Sequence, residues 1–135
     1  MSPSTPDGRK AAPRRSHEPR NTVVRTVRKT APLFAALGDS TRLQIVGRLA
    51  GGAVLSIAAL TAGTGVTRQA ITKHLQVLDD AGLVHSTWQG RERMWSLEPA
   101  QIAVARRTLD LISEQWTSAL DRLAAFVEAD PGVGK

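Results

Sequence analysis

Arg68, Gln69, Thr72, Lys73 and Gln76 bring guanidinium, amide, hydroxyl and ammonium groups together within a short stretch of chain. These are the groups that read base edges: Gln pairs bidentately with adenine, and Arg or Lys with guanine. At about 100° per residue, Gln69, Thr72, Lys73, Gln76 and Asp80 fall opposite a narrow apolar stripe of Ile71, Leu75 and Leu78. A helix face that only needs to be soluble carries Glu/Lys pairs; this one carries hydrogen-bonding heads of medium length. A helix in the major groove contacts bases with its N-terminal residues, which marks Arg68, Gln69, Thr72 and Lys73 as base contacts and leaves Gln76 at the groove edge. His74, about 60° from the apolar stripe, is expected to contact a phosphate or to pack. Arg91 and Arg93, beside Gly90, suit phosphates or an adjacent minor groove. Arg42 suits either a phosphate or an intramolecular salt bridge.

Other chemistries find little support. With no cysteine there is no disulfide, thiolate ligand or thiol nucleophile. His74 and His85 show no carboxylate partner in sequence, His17 lies in a proline-rich arm, and Gly63-Thr64-Gly65 lacks the lysine and spacing of a phosphate loop. Asp110 and Glu114, one helical turn apart, make a poor zinc site, since zinc usually takes four ligands. The expectation is a protein that is not an enzyme, with no cofactor and no metal.

The elements that hold the candidate residues follow from caps and periods. Thr30 before Ala31-Pro32 predicts an N-cap and a helix over 33–37 that stops at Gly38, while residues 22–29 stay open. Asp39 or Ser40 caps a second helix with Leu43, Ile45, Val46 and Leu49 on one face, ended by Gly51-Gly52. Ser56 caps a two-turn helix over 57–60. Thr67 caps the helix that carries the base-reading face, and Gly82 closes it. Two β-prone runs, 84–88 and 93–97, flank a turn at 89–92, with Trp95 and Leu97 on the core face. Helix, helix, helix, hairpin is the order of a winged helix-turn-helix.

From Pro99 a long helix spaces Ile102, Ala105, Leu109, Ile112, Trp116, Ala119, Leu123 and Phe126 alternately three and four apart, a heptad seam. A body this small cannot bury such a stripe alone, so a second copy is the economical partner. The predicted class is mainly α with a small β-hairpin: a basic arm over 1–22, a winged helix-turn-helix domain over 23–99 and a dimerisation helix over 100–130.

The net charge of +6 lies entirely in residues 1–30, which hold eight bases and two acids; the remaining ten bases and ten acids cancel. From Met1 to Thr22 there is no Ile, Leu, Val, Phe or Trp, and four prolines interrupt the stretch, so the arm is expected to stay outside the core and to add phosphate contacts that steepen the salt dependence. It lacks the apolar region of a secretory signal. The uncharged run 49–67 contains four glycines and is no membrane span. A cytoplasmic protein with no membrane partner is expected.

With these elements in place, the chain resembles the ArsR/SmtB family of winged-helix repressors over roughly residues 31 to 128. The resemblance rests on Leu37-Gly38-Asp39-Ser40-Thr41-Arg42, on Thr72-Lys73-His74-Leu75-Gln76-Val77-Leu78 followed by Ala81-Gly82-Leu83-Val84, and on Gly90-Arg91. It implies a homodimer, joined through its terminal helices, that binds double-stranded DNA, blocks a promoter (its own gene's included) and lets go when an effector binds. Metal sensors of the family use cysteines or paired carboxylate and histidine ligands on the last helix. This chain has no cysteine and no histidine between Pro99 and Glu128, and so resembles members whose inducer is something else. Two such helices on a dimer axis would meet successive major grooves about 34–36 Å apart, which calls for an inverted repeat. The competing readings are a nonspecific architectural DNA-binding protein and a protein-interaction module that uses the heptad helix.

Overall fold

The computed structural model describes residues 19–129. In chain order the elements are α1 (Pro19–Leu37), α2 (Ser40–Leu49), β1 (Leu55–Ser56), α3 (Ile57–Thr61), α4 (Arg68–Asp80), β2 (Val84–Gln89), β3 (Glu92–Leu97) and α5 (Pro99–Ala129). They form two compact units, one over Thr30–Arg107 and one that combines the chain before Thr30 with the chain from Thr108. Most of the basic arm lies outside the described residues.

The first unit is built on locally encoded helix ends. Asp39 caps α2 by accepting from the Arg42 N–H at 3.0 Å, Ser56 caps α3 by accepting from Ala59 N–H at 3.1 Å, and Thr67 caps α4 by accepting from Ala70 N–H at 3.1 Å. Helix α4 ends in a Schellman turn: Leu83 N–H reaches back to Leu78 O and Gly82 N–H to Asp79 O, both at 2.9 Å. Gly82 sits at φ 76°, in the left-handed region, and a Cβ there would approach the Gln101 side chain to 3.2 Å. Gln101 Nε2 donates to Ala81 O at 3.0 Å, tying the start of α5 to the end of α4.

The apolar stripe of α4, Ile71, Leu75 and Leu78, is wholly buried and meets Ile45 and Leu49 of α2, Leu60 of α3 and Trp95 of β3 in one core. β2 and β3 pair antiparallel from Val84↔Leu97 to Gln89↔Glu92, so only Gly90 and Arg91 form the tip. Trp95 is buried, as the alternation predicted, whereas Leu97 is half-buried.

Three sequence expectations are corrected. No helix opens at Pro32: α1 runs continuously from Pro19 with Pro32 inside it. An internal proline removes one helix bond at a cost of about 3 kcal/mol, and the turn that follows it carries Leu33 and Ala36 into the core, which offsets that loss. Helix α1 therefore also includes residues 22–29. Leu43 does not share the buried face of α2 but is exposed, because at one residue every 100° it lies away from the line joining Ile45 and Leu49. A third strand, β1, also completes the sheet in the order β1-β3-β2, with Leu55 opposite Trp95 and Ser56 opposite Met94. Two residues give no period to read, and only the pairing defines the strand.

The second unit contains the later part of α5. Leu109, Ile112, Trp116, Leu123 and Phe126 of the heptad seam are exposed there, together with Leu120 and Val127, and Phe126 is 69% accessible. The seam thus divides. Ala105 is buried in the core of the first unit and Ile102 packs against it, while Leu109, Ile112, Trp116, Leu123 and Phe126 are exposed and Ala119 is half-buried.

Candidate nucleic-acid interface

Gln69, Thr72, Lys73 and Gln76 lie exposed on the side of α4 away from the buried stripe that anchors it, and Arg68 is exposed at the first position of the helix. Their heads are not equally free. Thr72 Oγ1 donates to Arg68 O at 2.8 Å, which leaves its oxygen free to accept. Gln76 Nε2 donates to Asp80 Oδ1 at 2.9 Å and is held back along the helix. Among the described residues, the side chains of Arg68, Gln69 and Lys73 make no hydrogen bond or ion pair. The first turn of α4 carries no acidic residue, so its N-terminal dipole and Arg68 add positive potential at the end that holds the free heads.

Arg42, expected to grip a phosphate or form an intramolecular salt bridge, and His74, expected to contact a phosphate or to pack, are brought together with Asp39. Arg42 Nε donates to Ala36 O at 2.6 Å, at the end of α1, and Nη1 lies 3.2 Å from His74 Nδ1 on α4. A guanidinium only donates, so His74 Nδ1 is the accepting nitrogen in this contact. Asp39 Oδ2 is 3.8 Å from the same Nδ1. The Arg42 backbone N–H bonded to Asp39 holds its carboxyl below the ordinary carboxylate range, with further help from the charge of Arg42. The cluster joins the end of α1, the start of α2 and the middle of α4, and so sets where the exposed face of α4 points.

The wing also separates its two arginines. Arg91 is exposed at the tip beside Gly90, whose φ of 63° suits a tight turn. Arg93 is held against the sheet: its Nε donates to Ser86 Oγ at 2.8 Å, and its guanidinium lies 4.8 Å from the Trp95 ring centroid and 5.9 Å from that of Trp88. Trp88 is 67% exposed and was not singled out from sequence. The signal was present, since Trp88 opposes Arg93 and Ser86 opposes Trp95 once the hairpin register is drawn.

The tertiary structure brings carboxylates near both His74 and His85, which sequence spacing did not indicate. Asp39 approaches His74, and His85 Nδ1 lies 3.2 Å from Glu98 Oε1 while its Nε2 meets Ser96 Oγ at 3.0 Å. His85 and Ser96 are directly opposed cross-strand residues on an exposed part of the hairpin, and Glu98 follows where β3 turns into α5. Neither partner is close in sequence, and neither pairing has a recurring motif. Among the described residues no group of three or more metal-ligating side chains comes together, and no helix is long and apolar enough to cross a membrane.

Comparison with known proteins agrees with this geometry. A helix-turn-helix domain family matches residues 37–87, from the end of α1 through α4 into β2. The HTH-type transcriptional regulator Rv2034 of Mycobacterium tuberculosis is 36% identical over 105 residues, covering 78% of this chain and 94% of its own length. An uncharacterised HTH-type transcriptional regulator of Bacillus subtilis, YuzN, is 46% identical over 68 residues, 46% of this chain and 74% of that protein. Among solved structures, an ArsR-like transcriptional regulator from Rhodococcus sp. RHA1 superposes with a TM-score of 0.65 at 38% identity, covering 75% of this chain and 94% of its own. An exposed polar helix face seated on a buried stripe, a wing beside it and these likenesses across most of the chain place the protein in the ArsR family of winged helix-turn-helix transcriptional regulators.

Proposed function

We propose that the protein is a homodimeric repressor that acts in the cytoplasm on an inverted-repeat operator, without sensing a metal. The observation that carries this reading is the exposed N-terminal part of α4, where among the described residues the side chains of Arg68, Gln69 and Lys73 make no hydrogen bond or ion pair, on a helix anchored by its buried stripe. In this reading Arg68, Gln69, Thr72 and Lys73 contact bases, and Gln76 touches the groove edge. Arg91 grips phosphate or an adjacent minor groove, and Arg93, stacked on its tryptophans, stiffens the wing that carries Arg91. Arg42 and His74 orient α4, and any phosphate contact they make is secondary to that task. The exposed seam, Leu109, Ile112, Trp116, Leu123 and Phe126, is covered by a second copy, which supplies the two-fold axis that an inverted repeat matches.

Titrating DNA from upstream of the protein's own gene against a scrambled duplex, at two salt concentrations, tests the proposal. A specificity ratio of about 10³ or more is expected at physiological salt. Equal affinity for both duplexes would make the protein a nonspecific architectural binder and overturn the operator assignment. Light scattering of the isolated chain should give twice the monomer mass; a monomer would instead favour a partner-binding role for the heptad helix.

A further inference from the structure

A cleft of about 500 Å³ opens where the end of α2 and the following turn face β3 and the first turns of α5. Leu49, Ala53, Leu97 and Ile102 give it apolar walls, Ser96, whose hydroxyl is taken up by His85, lies along it, and Arg106 is a charged lining residue. Its size falls within the range of small-molecule sites, about 300–1,000 Å³. No carboxylate lines it. Glu98, close by in sequence, is engaged with His85. Among the described residues the Arg106 side chain makes no hydrogen bond or ion pair, so the one charge on the lining is a cation without a counter-charge. An apolar cavity with a single unpaired guanidinium is complementary to a molecule with an apolar body and one carboxylate, the arrangement in which a charge-assisted, bidentate contact is strongest.

We propose that this cleft is an effector site for a small apolar carboxylate, and that its occupation weakens the hold on DNA. The second part rests on the DNA-binding reading above. The route between the two sites is short. Leu49, on the cleft wall, ends the same helix whose first turn carries Arg42, and Arg42 reaches His74 on α4. A ligand that shifts α2 therefore shifts the contact that orients the base-reading face. The exposed part of the α5 seam starts at Leu109, beyond Arg106, so the proposed second copy is seated further along the helix.

Calorimetric titration of the full chain with decanoate, kept below its micelle-forming concentration and without DNA, tests the site. One saturable event per chain is expected. Arg106→Gln, an exposed substitution that leaves the core untouched, should weaken it by about tenfold or more, since a hydrogen bond to a charged group is lost. Decanol, with no carboxylate, should bind both forms equally and weakly. Ala103→Trp, which fills the cleft from an exposed helix position, should abolish the event. Absence of saturable binding, or equal decanoate affinity in wild type and Arg106→Gln, overturns the site. Saturating decanoate should lower promoter-DNA affinity at least tenfold; binding without that change overturns the effector role. A chain that binds decanoate but never selects promoter DNA would sink the operator reading and leave the calorimetric result standing.

Discussion

Helices α4 and α5 both carry an apolar stripe of regular period, yet only α4 is completed by its own chain. Ile71, Leu75 and Leu78 lie wholly buried under α2, α3 and the hairpin, and the polar face opposite them is left exposed. On α5, Ile102 and Ala105 find the same core, while Leu109, Ile112, Trp116, Leu123 and Phe126 are left in solvent. Period alone thus says that a helix has a face to bury, and the tertiary structure says whether anything in the chain buries it. An uncovered run of this length exceeds the scattered apolar residues normal on a monomer surface and marks an interaction site.

The sharpest way to break the comparison is to damage the finished stripe. Leu75→Ala should cost about 2–5 kcal/mol, because a fully buried leucine leaves a cavity that the close-packed core fills only in part. Urea denaturation would measure it, and a loss under 1 kcal/mol would show that α4 is less firmly seated than its burial implies. Damage to the unfinished stripe should act differently. Leu123→Glu with Phe126→Glu should leave the fold of the Thr30–Arg107 unit intact while raising the dimer dissociation constant at least about thirtyfold, the effect of losing one interface hot spot of about 2 kcal/mol. Sedimentation across a concentration series reads this directly.

On the polar side of α4, Gln69→Ala should leave the unfolding midpoint unchanged and cost about 1–3 kcal/mol of operator binding, with the loss confined to one base-pair position. Arg91→Ala at the wing tip should weaken all sequences alike and reduce the magnitude of the salt slope by about 1, as expected for one phosphate contact. The smallest effect concerns the Asp39 cap. Its folded carboxyl titrates below the ordinary range, so its contribution is present above that range and is lost as pH falls through the folded value. Asp39→Asn should therefore be less stable than wild type at neutral pH, with the gap closing below the carboxylate range. A gap that widened in acid would mean that the Arg42 contacts do not hold the carboxylate.

Much of the first unit was legible before any coordinates. The caps Asp39, Ser56 and Thr67, the closing Gly82 and the alternation through Trp95 all depend on neighbours a few residues away, and each stands where the pattern placed it. Less legible were features created by distant contacts. Pro32 reads as a helix start, but the chain continues through it, because Leu33 and Ala36 find a core that local propensity does not know about. Strand β1 exists only because β3 lies beside it.

The candidate interface divides in the same way. Helical period sufficed to put Gln69, Thr72, Lys73 and Gln76 on one face of α4, and all four are exposed. The freedom of each head could not be read that way. Arg42 and Arg93 look like surface cations in the sequence, yet one is bonded to Ala36 O and His74 and the other is stacked on two tryptophans.

By itself, then, the sequence determined the helix and turn boundaries set at Asp39, Ser56, Thr67 and Gly82, the buried stripe of α4 and the family to which the chain belongs. These rest on interactions that span one or two helical turns. Only the tertiary structure decided which arginines stay free, where the α5 seam passes from core to surface, and that a cleft with one unpaired guanidinium lies between α2, β3 and α5. Those outcomes depend on groups far apart in the chain, such as Arg42 and His74, thirty-two positions apart, whose meeting no local pattern encodes.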